Sequence, residues 1–182
     1  MIRVITAPEA YKPQADDVKI FLAGGITKCP DWQQQVIDLI DKNAPDFVRD
    51  RIVLFNPRRK YFDIKKKAES KRQVEWEFKY LEMCDIFTMY FCDSESVQPI
   101  CMYELGRYIT RMQMKYPFRA YWEDRIVVAS SAKYSRYTDV RIQMDLVGIY
   151  VEPYEIDNLE AYVDDIITAV CNVVPDTLED DD

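Results

Sequence analysis

Asp85-Ile86-Phe87-Thr88-Met89-Tyr90-Phe91, a polar break over 92–96, and Val97-Gln98-Pro99-Ile100-Cys101-Met102-Tyr103-Glu104-Leu105-Gly106-Arg107 form the stretch that decides the fold. The first run has the length and the β-branched and aromatic content of a buried strand. After the break, Leu105, Tyr108, Ile109 and Met112 fall on one stripe of a 3.6-residue period. Pro99 suits the first helical position, where its missing N–H costs nothing. A strand, a turn and a helix in this order are one unit of an α/β sheet. Glu104 then sits near the start of the helix, above the carboxyl edge of the sheet, where open α/β sheets bind ligands. The helix dipole there is expected to favour the ionised carboxylate, the form a covalent nucleophile requires.

The same alternation runs through the chain. Strands are expected over 19–23, 51–55, 85–91, 125–129 and 148–151. Helices are expected over 31–42, 69–83, from 99 onward, 139–146 and 159–170. Residues 1–18 read as an irregular arm with one short apolar run, 19–174 as a single α/β domain, and 175–182 as a solvated acidic tail. Five such units in series predict a doubly wound parallel sheet with helices on both faces. The flavodoxin-like order 2-1-3-4-5 is expected, because it sets the ends of the first and third strands side by side at the switch point. On the helix over 69–83 the inward stripe is expected to be Val74, Phe78 and Leu81.

Composition narrows the chemistry. The chain has 182 residues, 13% of them aromatic, and no histidine. The absence of histidine removes Ser-His-Asp and Cys-His catalysis and disfavours a transition-metal site. Acid–base or nucleophilic work falls to Asp, Glu, Tyr, Lys or Cys. Five cysteines without a C-x-x-C pair suit free thiols in a reducing compartment. No apolar run reaches membrane-spanning length, so a soluble cytoplasmic protein without membrane contact is expected. A formal charge of −8 argues against a nucleic-acid surface.

Several further residues are candidates, each with two readings. Gly24-Gly25 ends the first strand, either as a tight turn or as a close approach of backbone to ligand. No G-x-G-x-x-G or P-loop pattern follows, which disfavours dinucleotide and P-loop binding. Asn56-Pro57-Arg58-Arg59 ends the second strand and opens a basic segment through Lys67. This is a solvated loop, or a lid whose Arg58 or Arg59 meets a phosphate or carboxylate in a fork. Gln73 and Glu77 lie one turn apart, as a surface polar stripe. Trp76 falls off the expected apolar stripe, so it packs on a neighbour or faces the site. Asp85 and Asp93 flank the third strand, as turn formers or as ligands for sugar hydroxyls or a base edge.

In order, these pieces resemble the nucleoside 2-deoxyribosyltransferase family, in its deoxyribosyltransferase-like branch. The matching pieces begin with Ile20-Phe21-Leu22-Ala23-Gly24-Gly25-Ile26 and the Trp32 after it, then Asn56-Pro57-Arg58-Arg59. Gln73-x-x-Trp76-Glu77 and Asp85-Ile86 follow, then Gln98-Pro99-Ile100 leading to Tyr103-Glu104-Leu105-Gly106, and Tyr134-x-Arg136-x-x-Asp139-Val140. The resemblance implies a retaining double displacement without metal or cofactor. Glu104 would attack C1′ of a 2′-deoxynucleoside, and a second base or water would release the sugar. It also implies that Asp85 assists the leaving base and that copies of the chain form a homo-oligomer. Phe21 stands where the classical transferases carry a tyrosine that helps position the nucleophile. Gln98 stands where transferases carry a base-contacting aspartate and related deoxynucleoside 5′-monophosphate N-glycosidases a phosphate-binding serine. Transfer between free bases is the leading expectation. Hydrolysis of a deoxynucleotide and a catalytically inactive nucleotide-sensing module are the alternatives.

Overall fold

The computed structural model describes residues 1–61 and 66–174. The expected acidic tail and part of the basic segment lie outside the described residues. The strands are β1 (Arg3–Thr6), β2 (Val18–Gly24), β3 (Ile52–Asn56), β4 (Ile86–Phe91), β5 (Ile126–Ser130) and β6 (Glu152–Pro153). The helices are α1 (Trp32–Asn43), α2 (Asp46–Arg49), α3 (Lys67–Met83), α4 (Pro99–Lys115), α5 (Tyr137–Leu146) and α6 (Glu160–Val173), with two short 3₁₀ turns before β5. Every strand pair is parallel.

The sheet has six strands in the order β1-β3-β2-β4-β5-β6, not five in the order 2-1-3-4-5. The additional strand comes from the segment read as an arm. Arg3 to Thr6 pair in register with Val53 to Asn56 on the outer edge of β3. Its four residues are all only half-buried, so the periodicity that marks a core strand is absent. Asp17 fixes this edge by accepting from the Arg3 guanidinium and from the Tyr11 hydroxyl. The last strand is also displaced, from 148–151 to Glu152–Pro153. Gly148 adopts φ +77° just after α5, which turns the chain before it can extend.

Alternation along the strands builds two cores. Phe21, Phe55, Phe87 and Met89 point to the face covered by α3, α4 and α5. Ile20, Leu22, Leu54, Ile86 and Tyr90 point to the face covered by α1 and α6. Asp31 caps α1, its carboxylate accepting the Gln34 backbone N–H at 3.2 Å. Pro99 opens α4, and Leu105, Tyr108, Ile109 and Met112 are its buried stripe.

Helix α3 is rotated from the expected orientation. Val74 and Phe78 are 62% and 54% exposed, while Gln73, Trp76, Tyr80 and Leu81 are buried. The aromatic rings decide the rotation. Trp76 packs on Phe21, Phe55 and Tyr80 with centroid separations of 6.1, 6.4 and 4.5 Å. Its indole N–H donates to the Glu9 carbonyl at 2.7 Å. Burying two large rings with a satisfied N–H outweighs burying one Val and one Phe. Gln73 and Glu77, one turn apart on the same side, are thereby carried inward. Among the described residues no helix is long and apolar enough to cross a membrane.

Candidate active site

The chain leaves β2 to form β3 on one side and returns from β3 to form β4 on the other, so β2 and β4 bound a switch point. Their carboxyl ends open a crevice, the usual place of ligands in open α/β sheets. Gly24 and Gly25 end β2, Asn56 ends β3, and the 92–98 loop leads from β4 into α4.

Helix α4 contributes Glu104 in its second turn. The carboxyl is half-buried and its pKa is raised to about 8, first by burial and then by the neighbouring Glu77 charge, with Arg107 opposing. This corrects the expectation of a dipole-favoured anion. Glu104 lies beyond the first turn, within which the dipole acts, so burial and a like charge prevail. Glu77 is raised as well, by burial, against a hydrogen bond from Gln73 and the charge of Arg59. Gln73 Nε2 donates to the Glu77 carboxylate and to the Pro57 carbonyl, both at 2.8 Å. Two carboxyl groups from two helices thus share one desolvated site, and near neutral pH the pair retains a proton.

Gln98 is the N-terminal flanking residue of α4, at φ +47°. It is 3% exposed. Its Nε2 donates to the Cys92 carbonyl at 2.9 Å, and its Oε1 is buried without a hydrogen-bond partner among the described residues. A Cβ on Gly25 would stand 2.6 Å from that oxygen, so glycine is required for Gln98 to occupy this place. Gly25 also accepts the Trp32 indole N–H at 3.0 Å.

Arg58 is a fastener rather than a lid. Its Nε donates to Gln33 Oε1 at 2.9 Å and its Nη2 to the Pro30 carbonyl at 2.7 Å, with Asp31 at 3.3 Å. Its backbone N–H is held by Asn56 Oδ1 at 2.9 Å. Arg59 has a largely buried side chain paired with Glu69 at 3.0 Å. Replacing Arg58 by Ala is therefore expected to destabilise the fold by about 2 kcal/mol, since it leaves the buried Gln33 side-chain carbonyl unmet and removes the guanidinium contacts that hold the loop after β2. A lower midpoint in urea, with nucleoside and nucleotide binding weakened alike, is the expected result. A selective loss of nucleotide binding at unchanged stability would restore the phosphate-fork reading.

The structure does not bring Asp85 to this edge. It precedes β4 at the amino end, where its carboxylate accepts the Lys19 backbone N–H and pairs with the Lys19 ammonium, both at 3.0 Å. The six residues of β4, about 20 Å of strand, separate it from the crevice. Phe21 is a core ring under Trp76 and lends the site no polar group. Trp76 reaches the site only by setting the rotation of α3. Asp93 is exposed in the loop after β4, at the correct edge. Glu77 is the residue that the sequence reading passed over as surface. The run Gln73, Trp76, Glu77, Tyr80, spaced i, i+3, i+4, i+7, is the signal that identifies it.

The Glu104 shift carries a stability consequence. The folded pKa lies above the unfolded value near 4.5, so the folded state binds more protons between those values. Glu104 costs the fold nothing below pH 4.5, a growing amount up to about pH 8, and a constant amount above. Glu104→Gln is expected to raise Tm by roughly 3 °C or more at pH 9, allowing for solvent screening, and to leave it unchanged at pH 4. Thermal melts at the two pH values check this, and a gap independent of pH would contradict it.

The chain is an α/β protein with a parallel sheet, and its helices α3 and α4 carry two acids whose pKa values burial raises. Residues 17–121 match the family model described as nucleoside 2-deoxyribosyltransferase like, and the chain belongs to that family. The matched span includes Gly24, Gly25, Glu77, Gln98 and Glu104. No curated protein matches the chain.

Proposed function

We propose that this protein cleaves the N-glycosidic bond of a 2′-deoxynucleoside and transfers the sugar to a second base. The carrying observation is the pair of acids Glu77 and Glu104 on the neighbouring helices α3 and α4, both raised first by burial and Glu104 also by the Glu77 charge. With the shared proton on Glu77, a Glu104 carboxylate oxygen attacks C1′, the C1′–N bond breaks, and its electron pair goes to the base nitrogen. The proton held by the pair neutralises that nitrogen as the base leaves. The developing oxocarbenium charge is stabilised by the carboxylate before the covalent bond forms. A nitrogen of the incoming base then attacks C1′, the Glu104–C1′ bond breaks, and the proton returns to the pair. Glu77 takes in this scheme the assisting role expected of Asp85. Gln98 Oε1, a buried acceptor, suits an N–H on the base edge.

The monophosphate-hydrolase alternative needs a cationic fork, and Arg58 is engaged by loop carbonyls and Gln33. A homo-oligomer belongs to the same proposal, with Val74 and Phe78 on α3 and Ile100 and Tyr103 on α4 as the exposed apolar side chains a second copy would cover. The test supplies a deoxynucleoside and a different free base and follows both nucleosides by chromatography. A new nucleoside of the second base is the expected product, with matched ribonucleosides at least about tenfold slower, because a 2′-hydroxyl withdraws charge from the transition state. Release of free sugar alone would mean hydrolysis. Binding without base release would mean a sensing module.

A further inference from the structure

The loops that follow β2 and β4 meet at consecutive points over the carboxyl edge. Lys28 Nζ lies 2.8 Å from the Glu95 carboxylate. Cys29 Sγ lies 3.4 Å from Ser94 Oγ, and the Cys29 and Cys92 sulfurs both lie against the Gln98 side chain. Gly25 has no Cβ, and Cys29 Sγ and the Gln98 side chain occupy the space one would fill. Cys92 is buried, with its sulfur 3.7 Å from Gln98 Nε2, whereas Cys29 is half-buried and open to small solutes. The glycosyl transfer proposed above uses neither sulfur.

We propose that Cys29 and Cys92 form a peroxide-oxidisable pair that closes reversibly into a disulfide tying these two loops together at the mouth of the Glu104 crevice. Cys29 is the attacking sulfur. The hydrogen bond from Cys92 pulls its pKa down to about 6 against the effect of burial, with help from Ser94 and the Arg58 charge. Thiolate is the reactive form, and electropositive, partly exposed surroundings mark reactive cysteines. Burial pushes Cys84 up to about 12 and raises Cys101 as well, and neither has a low-pKa thiol as its neighbour. Cys92 is raised too, first by its contact with Cys29 and then by burial. Cys29 therefore starts the reaction, and the part of the rise due to the Cys29 thiolate charge ends once Cys29 is oxidised.

The steps balance with hydrogen peroxide as the oxidant. The Cys29 thiolate attacks one peroxide oxygen, the O–O bond breaks, and the departing hydroxide takes a proton to become water. Cys29 is then a sulfenic acid. The Cys92 sulfur attacks the Cys29 sulfur, the S–O bond breaks, and hydroxide leaves with the Cys92 proton as a second water. Two thiols are oxidised by two electrons and one peroxide is reduced. The Lys28–Glu95 pair and the Cys29–Ser94 contact place the two loops side by side.

The test treats the native protein with one equivalent of hydrogen peroxide at pH 7, quenches with a maleimide, and maps peptides. The expected result is a Cys29–Cys92 cross-linked peptide, formed at least about tenfold faster than oxidation of Cys84, Cys101 or Cys171, and removed by dithiothreitol. In Cys92→Ala the same treatment is expected to leave a dimedone-reactive sulfenic acid on Cys29 and no disulfide. Loss of Cys29 no faster than the other thiols would overturn the proposal. So would a Cys29 sulfenic acid that persists uncross-linked in the native protein. Both readouts in the native protein are independent of whether the variant folds.

Discussion

Replacing Glu104 by Gln is expected to lower base exchange by at least about 10³-fold, or ~4 kcal/mol of barrier, in a protein that remains folded. The amide preserves the shape of the side chain and removes both the nucleophilic charge and the proton-holding capacity of the pair. Its effect on the ground state is small or favourable, because Glu104 faces a second carboxyl in a desolvated site. Loss of rate should therefore appear in kcat, with circular dichroism unchanged and thermal stability at alkaline pH no lower than that of the parent. Glu77→Gln is the control that separates the two acids. It should lower the Glu104 pKa by removing a like charge, and slow only the substrates whose leaving base needs a proton. Near-full exchange by Glu104→Gln would remove this residue from the mechanism.

Gly24→Ala is expected to destabilise the fold by about 3 kcal/mol or more. Gly24 holds φ +150°, and a Cβ there would stand 2.5 Å from the Trp32 ring and closer still to the Tyr90 carbonyl oxygen. Neither neighbour can yield. The Tyr90 carbonyl belongs to β4, and Trp32 is fully buried with its N–H committed to the Gly25 carbonyl. Relief would require β2 to separate from β4 at the switch point, where the site is built. A fall in the urea midpoint with an unchanged slope is the expected reading. A midpoint within experimental error of the parent would show that the crevice tolerates more backbone freedom than these contacts allow.

What the sequence makes legible follows from how local each signal is. Strands β2, β3 and β4 are short apolar runs bounded by glycine, proline or acids, and their positions follow from composition alone. Helix α4 is legible at its start and on its inner face, because Pro99 fixes the one and Leu105, Tyr108, Ile109 and Met112 the other. Strand β1 is not, since its four half-buried residues become a strand only through pairing with β3. Helix α3 misleads for another reason. Its inward face mixes aromatic and polar residues, so a reading by apolar periodicity selects Val74 and Phe78, which are exposed. That rotation also hides Glu77, and with it the reason Glu104 is raised rather than lowered. Asp85 follows from motif order, but strand direction places a residue before β4 at the amino edge. Arg58 has the chemistry of a phosphate fork, and only the folded β2–α1 loop shows that its donors are taken.

The central claim is that the sugar becomes covalently attached to Glu104. The direct measurement incubates the protein with a deoxynucleoside and no acceptor base, quenches with acid, and records the intact mass followed by peptide mapping. One added deoxyribosyl group on the peptide containing Glu104, discharged when a free base is supplied before quenching, is the predicted result. Base release that proceeds with no adduct at any time, or an adduct on another residue, would contradict it.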